Sequence, residues 1–321
     1  MSRSSESGLF AASVGSRSDA RVNSAVSTAD VPGADLRTIP MPAPKFLGLE
    51  AMRGAAALVV GIAHSKMVLL ASPGLGNAGF AVDFFFMLSG FVLAHAYSAK
   101  LGSGYLNEYL WRRAIRLYPL IAIGTALGFV PWYIHDGNGA YLLRLLGQGM
   151  ILLPEPWSSR IDEGIFPLNP PAWSLFFEMI VSVLFGVGVW RSKRPGPLLV
   201  CVLAGAVGMV FAIAKGRSSS GWAFADMGWG LARAFYGFGA GVALYRFRES
   251  LPVPAFPLPL LVASLFLLLL VPTSSKILIG LTLFGVFPLL LLSGSRANTP
   301  VRGNIVDLIA SDADIHQLPV T

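Results

Sequence analysis

Arg53 and His64 are eleven positions apart in a stretch that is otherwise mainly apolar. At 100° per residue, eleven steps make three turns plus about 20°, so on a helix the two side chains share one face. They stand about 16 Å apart along the axis, too far to touch but placed to line one elongated cavity. A neutral imidazole titrates near working pH and can take the proton of a hydroxyl as its oxygen attacks a thioester carbonyl. A histidine hydrogen-bonded between helices is the competing reading of the same position.

Other ionisable residues interrupt apolar runs. Asp83 breaks the run Gly79 to Leu93 and is followed by Ser89 and Gly90, a small-residue step that permits close helix approach. Its carboxylate can orient His64 or pair with an arginine, and structural pairing is the stronger of these readings. Glu178 follows Trp173-Ser174-Leu175-Phe176-Phe177. It can bind an acceptor hydroxyl, share a proton transfer or pair with Arg233. Arg112, Arg113 and Arg116 stand in the stretch Trp111 to Pro119, with Arg112 and Arg116 one helical turn apart. Three guanidiniums at a membrane surface suit the phosphates of a nucleotide such as coenzyme A, and they equally suit a topogenic cluster that meets lipid headgroups. No glycine-rich phosphate loop, metal-ligand cluster or nucleophile elbow appears.

The elements that must position these residues are membrane helices. Of 321 residues, 54% are hydrophobic and only 13% charged, a balance far from that of soluble domains. Crossing a hydrocarbon core about 30 Å thick takes roughly 20 apolar helical residues. Runs of that kind predict an all-α, polytopic transmembrane bundle of about eight spans, near 54–71, 78–98, 114–134, 172–190, 197–214, 227–245, 255–271 and 277–293. The piece 141–153 carries Arg144 and Gln148, is too short for a span, and reads as interfacial or re-entrant. In the bilayer Arg53 then falls at the cytoplasmic edge and His64 near the middle. An ionisable group at such depth costs several kcal/mol unless paired or hydrated, which makes each one a functional candidate.

With a cytoplasmic N-terminus, the inner loops receive Lys100, Arg112, Arg113, Arg116, Arg191, Lys193, Arg194, Arg246, Arg248, Arg296 and Arg302, which satisfies the positive-inside bias. Both termini are then cytoplasmic. Residues 1–44 mix Ser, Ala and Pro with both charge signs and read as a disordered cytoplasmic tail, so the first span serves as the insertion signal. Residues 45–295 form the membrane domain and 296–321 a polar C-terminal tail. The net charge of +7 is spread among loops, which argues against nucleic acid as a partner. Cys201, the single cysteine, reads as packing within an apolar segment.

In order along the chain, Leu49-Glu50-Ala51-Met52-Arg53-Gly54 with His64, Gly79 through Asp83-Phe84-Phe85-Phe86-Met87-Leu88-Ser89-Gly90-Phe91, Arg112-Arg113 through Arg116-Leu117-Tyr118-Pro119, and Trp173-Ser174-Leu175 with Glu178 resemble the acyltransferase-3 family of membrane O-acyltransferases. Arg233 to Gly241 is a weaker fifth match. The resemblance implies transfer of an acyl group, acetyl first, from an acyl-CoA such as acetyl-CoA to a hydroxyl of a carbohydrate or glycolipid in a bacterial inner (plasma) membrane. It implies His64 as candidate base, with Arg53 and Glu178 in the catalytic set. Arg112, Arg113, Arg116, Asp83, Ser89, Trp173 and Ser174 become the candidates for substrate or donor binding. The expected partners are acyl-CoA, the acceptor and membrane lipids, with no permanently bound cofactor and no metal. The end of the chain departs from the pattern, since family members usually close with a tyrosine- and histidine-containing helix, and 296–321 reads as a truncated end. A transporter or flippase of a lipid-linked sugar and an inactive homologue are the alternatives.

Overall fold

Helix runs through every apolar segment picked out above. The computed structural model describes residues 46–70, 76–97, 106–136, 139–156, 164–188 and 195–297. The tail 1–44, the Arg191 to Arg194 cluster and nearly all of the C-terminal tail lie outside the described residues. The elements are α1 (Leu47–Leu70), α2 (Phe80–Tyr97), α3 (Leu106–Asp136), α4 (Gly139–Met150), α5 (Ala172–Gly186), α6 (Pro195–Ala214), α7 (Met227–Phe247), α8 (Leu258–Leu270), α9 (Lys276–Leu281) and α10 (Phe287–Arg296). A π turn, Thr282–Val286, joins α9 to α10 into one rod. There the Tyr236 hydroxyl donates to the Leu283 carbonyl at 3.2 Å, taking up an acceptor in a stretch where the regular ladder is shifted.

Five helical stretches are long and apolar enough to cross a membrane: Leu47–His64, Phe80–Tyr97, Leu106–His135, Gly196–Ala214 and Lys276–Arg296. Ala172–Gly186 and Leu258–Leu270 are apolar but shorter. Helix α7, with 21 residues, is about 31 Å long and carries Arg233 in its interior. Exposed leucines, isoleucines and valines cover the outer faces of α3 and α6, among them Ile123, Leu127, Val130, Leu203, Val207 and Val210. Bare apolar faces of that extent are stable only against lipid, so the chain is an integral membrane protein.

At the centre lie α2 and α7, with α6 packed on the far side of α7. Their closeness is a matter of glycines. A Cβ on Gly90 would stand 2.0 Å from the Phe238 carbonyl oxygen, and one on Gly241 would stand 2.0 Å from the Met87 carbonyl oxygen. Helix α1 rests on α8, α10 and α2, and α3 rests on α4 and α5. The stretch 141–153 holds α4, a 12-residue helix that turns Leu142, Leu145 and Gly149 inward. After it the chain is irregular yet buried from Gly164 to Leu168, with the Ile165 N–H donating to the Trp222 carbonyl at 2.9 Å. Such backbone survives at membrane depth only when protein covers it.

Candidate active site

Helices α1, α2, α3 and α5 enclose a cavity of about 360 Å³. Helix α1 contributes Arg53 and Ala57, which are four residues apart and so on one face. From α2 come Val82, Phe85, Ser89 and Val92, following the 3–4 residue period of a single helical face. Arg113, Arg116 and Leu120 of α3 follow the same period, and Ser174 and Glu178 of α5 stand one turn apart. The walls are otherwise apolar, with Phe86, Leu117 and Leu175 among them. The result is an elongated, largely greasy chamber with guanidiniums and one carboxylate gathered on its surface.

Its polar heart is a three-helix network. Arg113, 7% exposed, is ion-paired with Glu178. The same guanidinium donates to Ser89 Oγ at 3.0 Å and, through Nε, to Ser182 Oγ at 3.1 Å. Ser89 Oγ in turn donates to Glu178 Oε1 at 2.7 Å. Tyr109 closes the arrangement by donating to the Ser182 carbonyl at 3.0 Å. Arg116 lies within electrostatic reach of Arg53 and Arg113, whose like charges oppose its own, and of Glu178 and Glu50, which offset them. Three guanidiniums therefore face two carboxylates, which leaves this part of the cavity suited to an anion.

A second buried pair lies elsewhere on α2. Arg233, 1% exposed, donates to both oxygens of Asp83, at 2.9 and 3.0 Å, and to the carbonyls of Gly79 and Ser220, each at 2.9 Å. Its guanidinium also lies over the Trp173 ring, 5.0 Å from the centroid. Four of the five N–H groups of this cation are thus bonded and an aromatic ring covers its face, which is the kind of compensation that burial of a charge requires.

Four candidates from the sequence are thus brought together at the cavity with Glu178: Arg53, Ser89, Arg113 and Arg116. Ser174 lines it as well, its hydroxyl donating to the Pro171 carbonyl at 3.1 Å. The others fall differently. The arginine trio divides, because residues one apart point 100° away from each other. Arg112 faces outward and bonds Glu108 at 2.5 Å, with 66% of its side chain exposed. Asp83 meets Arg233 rather than His64, and Glu178 meets Arg113 rather than Arg233. Trp173 covers Arg233 and is absent from the cavity wall. Arg53 pairs with Glu50, its neighbour one turn back.

The expectation that Arg53 and His64 line one cavity is corrected in part. The lining of α1 stops at Ala57, and His64 stands exposed seven residues further along the same face. Its Nδ1 is 2.8 Å from the Val60 carbonyl. A carbonyl only accepts, so in the neutral ring Nδ1 carries the hydrogen and Nε2 keeps its lone pair. Two participants escaped the sequence reading, Ser182 and Tyr109. Ser174, Glu178 and Ser182 recur every four residues, and that polar stripe on an apolar helix was the available signal.

The fold and cavity define a helical integral membrane protein built around a cation-rich chamber in the bilayer. Residues 46–311 match the model of a family described as an acyltransferase domain. The chain belongs to this acyltransferase-3 family and is a membrane acyltransferase that transfers groups other than amino-acyl groups. It is also similar to a protein described as Protein 2 in the picA locus of Rhizobium radiobacter, 34% identical over 190 residues that amount to 53% of this chain and 96% of that protein. No solved structure matches the chain.

Proposed function

We propose that the chain is an O-acyltransferase that takes an acyl group, acetyl first, from an acyl-CoA and places it on a hydroxyl of a carbohydrate or glycolipid. The observation that carries this reading is the gathering of Arg53, Arg113 and Arg116 beside Glu178 in an otherwise apolar chamber. Guanidiniums suit an anionic donor and the charge that builds on its carbonyl oxygen, and the apolar walls suit its thioester arm. A chamber of about 360 Å³ takes the reactive end of such a donor rather than the whole of it. The protein sits in a bacterial plasma membrane with both termini in the cytoplasm, which places the donor's nucleotide where coenzyme A is made.

His64 acts as the general base toward the acceptor hydroxyl. The Nδ1 contact with Val60 supports this role, because it favours the tautomer in which Nε2 is the nitrogen that accepts a proton. The test is transfer from radiolabelled acetyl-CoA in membranes that carry the wild type or His64→Ala. Loss of a general base lowers the rate by about 10²- to 10⁴-fold. Equal transfer by the two proteins removes His64 from the mechanism. Mass spectrometry of surface glycans and glycolipids from cells with and without the protein identifies the acceptor.

A further inference from the structure

The cavity wall holds two hydroxyls, Ser89 and Ser174. They differ in what they touch. Ser174 donates to a backbone carbonyl near the start of α5, as serines there commonly do. Ser89 donates to a carboxylate, Glu178 Oε1, at 2.7 Å, and accepts from a guanidinium, Arg113 Nη2, at 3.0 Å. A hydroxyl beside a carboxylate and a cation has the two things a serine nucleophile needs nearby: a base for its proton, and a donor that can turn to the acyl carbonyl oxygen as charge builds there.

Its position is also fastened by packing and hydrogen bonds. The next residue, Gly90, lies so close to the Phe238 carbonyl that even a Cβ there would overlap it. Arg113 is fixed from the other side by Ser182. Ser89 Oγ is therefore held at the surface of the chamber that the donor is proposed to enter.

We propose that Ser89 is a covalent nucleophile that carries the acyl group as an ester between two half-reactions. This step rests on the acyl-transfer reading above. In the first half, Ser89 Oγ attacks the thioester carbonyl carbon while its proton passes to Glu178. The new C–O bond forms, the C–S bond breaks, and the departing thiolate takes the proton back from Glu178 and leaves as free thiol. In the second half, the acceptor oxygen attacks the carbon of the seryl ester and the C–Oγ bond breaks. The acceptor's proton, taken up by the base, is returned to Oγ. No oxidant, reductant or further co-reactant is consumed.

The experiment uses the full chain in membranes, incubated for seconds with [1-14C]acetyl-CoA, quenched in acid and digested. Label is expected on the peptide that contains Ser89 in the wild type, and more of it in His64→Ala, where the second half is slowed. Ser89→Ala is expected to lose the adduct and to transfer acetyl to glycan about 10²-fold more slowly or worse. Ser89→Cys guards against a folding defect, since it is expected to hold the label as a thioester that neutral hydroxylamine releases. Labelled glycan with no label on the protein in wild type, His64→Ala or Ser89→Cys overturns the intermediate and leaves acyl transfer standing, as does wild-type glycan labelling by Ser89→Ala. Absence of label from both glycan and protein overturns acyl transfer and this step together.

Discussion

Asp83 and Arg233 show what a charged residue must find to exist at this depth. Both oxygens of Asp83 accept along the Nε–Nη2 edge of Arg233, two carbonyls take further donors, and Trp173 covers the cation's face. Removing one partner strands the other, and breaking a buried pair of this kind costs about 3–5 kcal/mol. Asp83→Leu and Arg233→Leu are each expected to lower the midpoint of thermal unfolding in detergent. The double substitution is expected to cost clearly less than the sum of the singles, and additive losses in that cycle would show that the pair is not coupled. The Arg113, Glu178 and Ser89 network has the same chemistry but opens onto the cavity, with Glu178 19% exposed. One ion pair is sealed and the other faces a chamber, so of the two only the second is open to a ligand.

At the scale of the helices, α2 does two jobs on two faces. One face carries Gly90 and Met87 into contact with Phe238 and Gly241 of α7, and the other carries Phe85, Ser89 and Val92 to the cavity. A methyl group on Gly90 would sit 2.0 Å from a backbone oxygen that cannot turn aside as a side chain can. Gly90→Ala is therefore expected to force α2 and α7 apart and to reduce the yield of monodisperse protein in size-exclusion chromatography. Gly54→Ala and Gly61→Ala are the controls, because a Cβ at either meets nothing within 4 Å. They should match the wild type, and a comparable loss at those positions would mean that helix flexibility rather than close approach is at stake.

For the whole molecule, the expected orientation makes a claim about sidedness. If α7 crosses the bilayer, the turn after α6 and the turn after α7 lie on opposite faces. Lys215 and Glu249 are exposed at those two turns, Glu249 with 82% of its side chain free. In a Cys201→Ala background, Lys215→Cys is expected to react in intact cells with a membrane-impermeant maleimide. Glu249→Cys is expected to react only after the membrane is opened. Labelling of both from the same side would revise the number of crossings and, with it, the side from which the donor enters.

Composition and period alone determined that the chain is helical, that lipid is its solvent, and where its helices run, because both signals are local: apolar length for a crossing and a 3–4 residue repeat for a face. The sequence also marked out Arg53, Ser89, Arg113, Arg116 and Glu178, since polar groups are rare in such segments. It could not pair them. Whether Glu178 faces Arg113 or Arg233 depends on how α5 rotates between α3 and α7, and no local period sets that angle. Nor could it tell Arg113, turned inward to Ser182, from Arg112, turned out to Glu108. Only the tertiary structure decided that Ser89 meets a carboxylate from a helix 89 residues away while His64 stands beyond the cavity's end. The physical reason is that buried charges choose partners across helices, through contacts that exist only once glycines have let α2 and α7 close on each other.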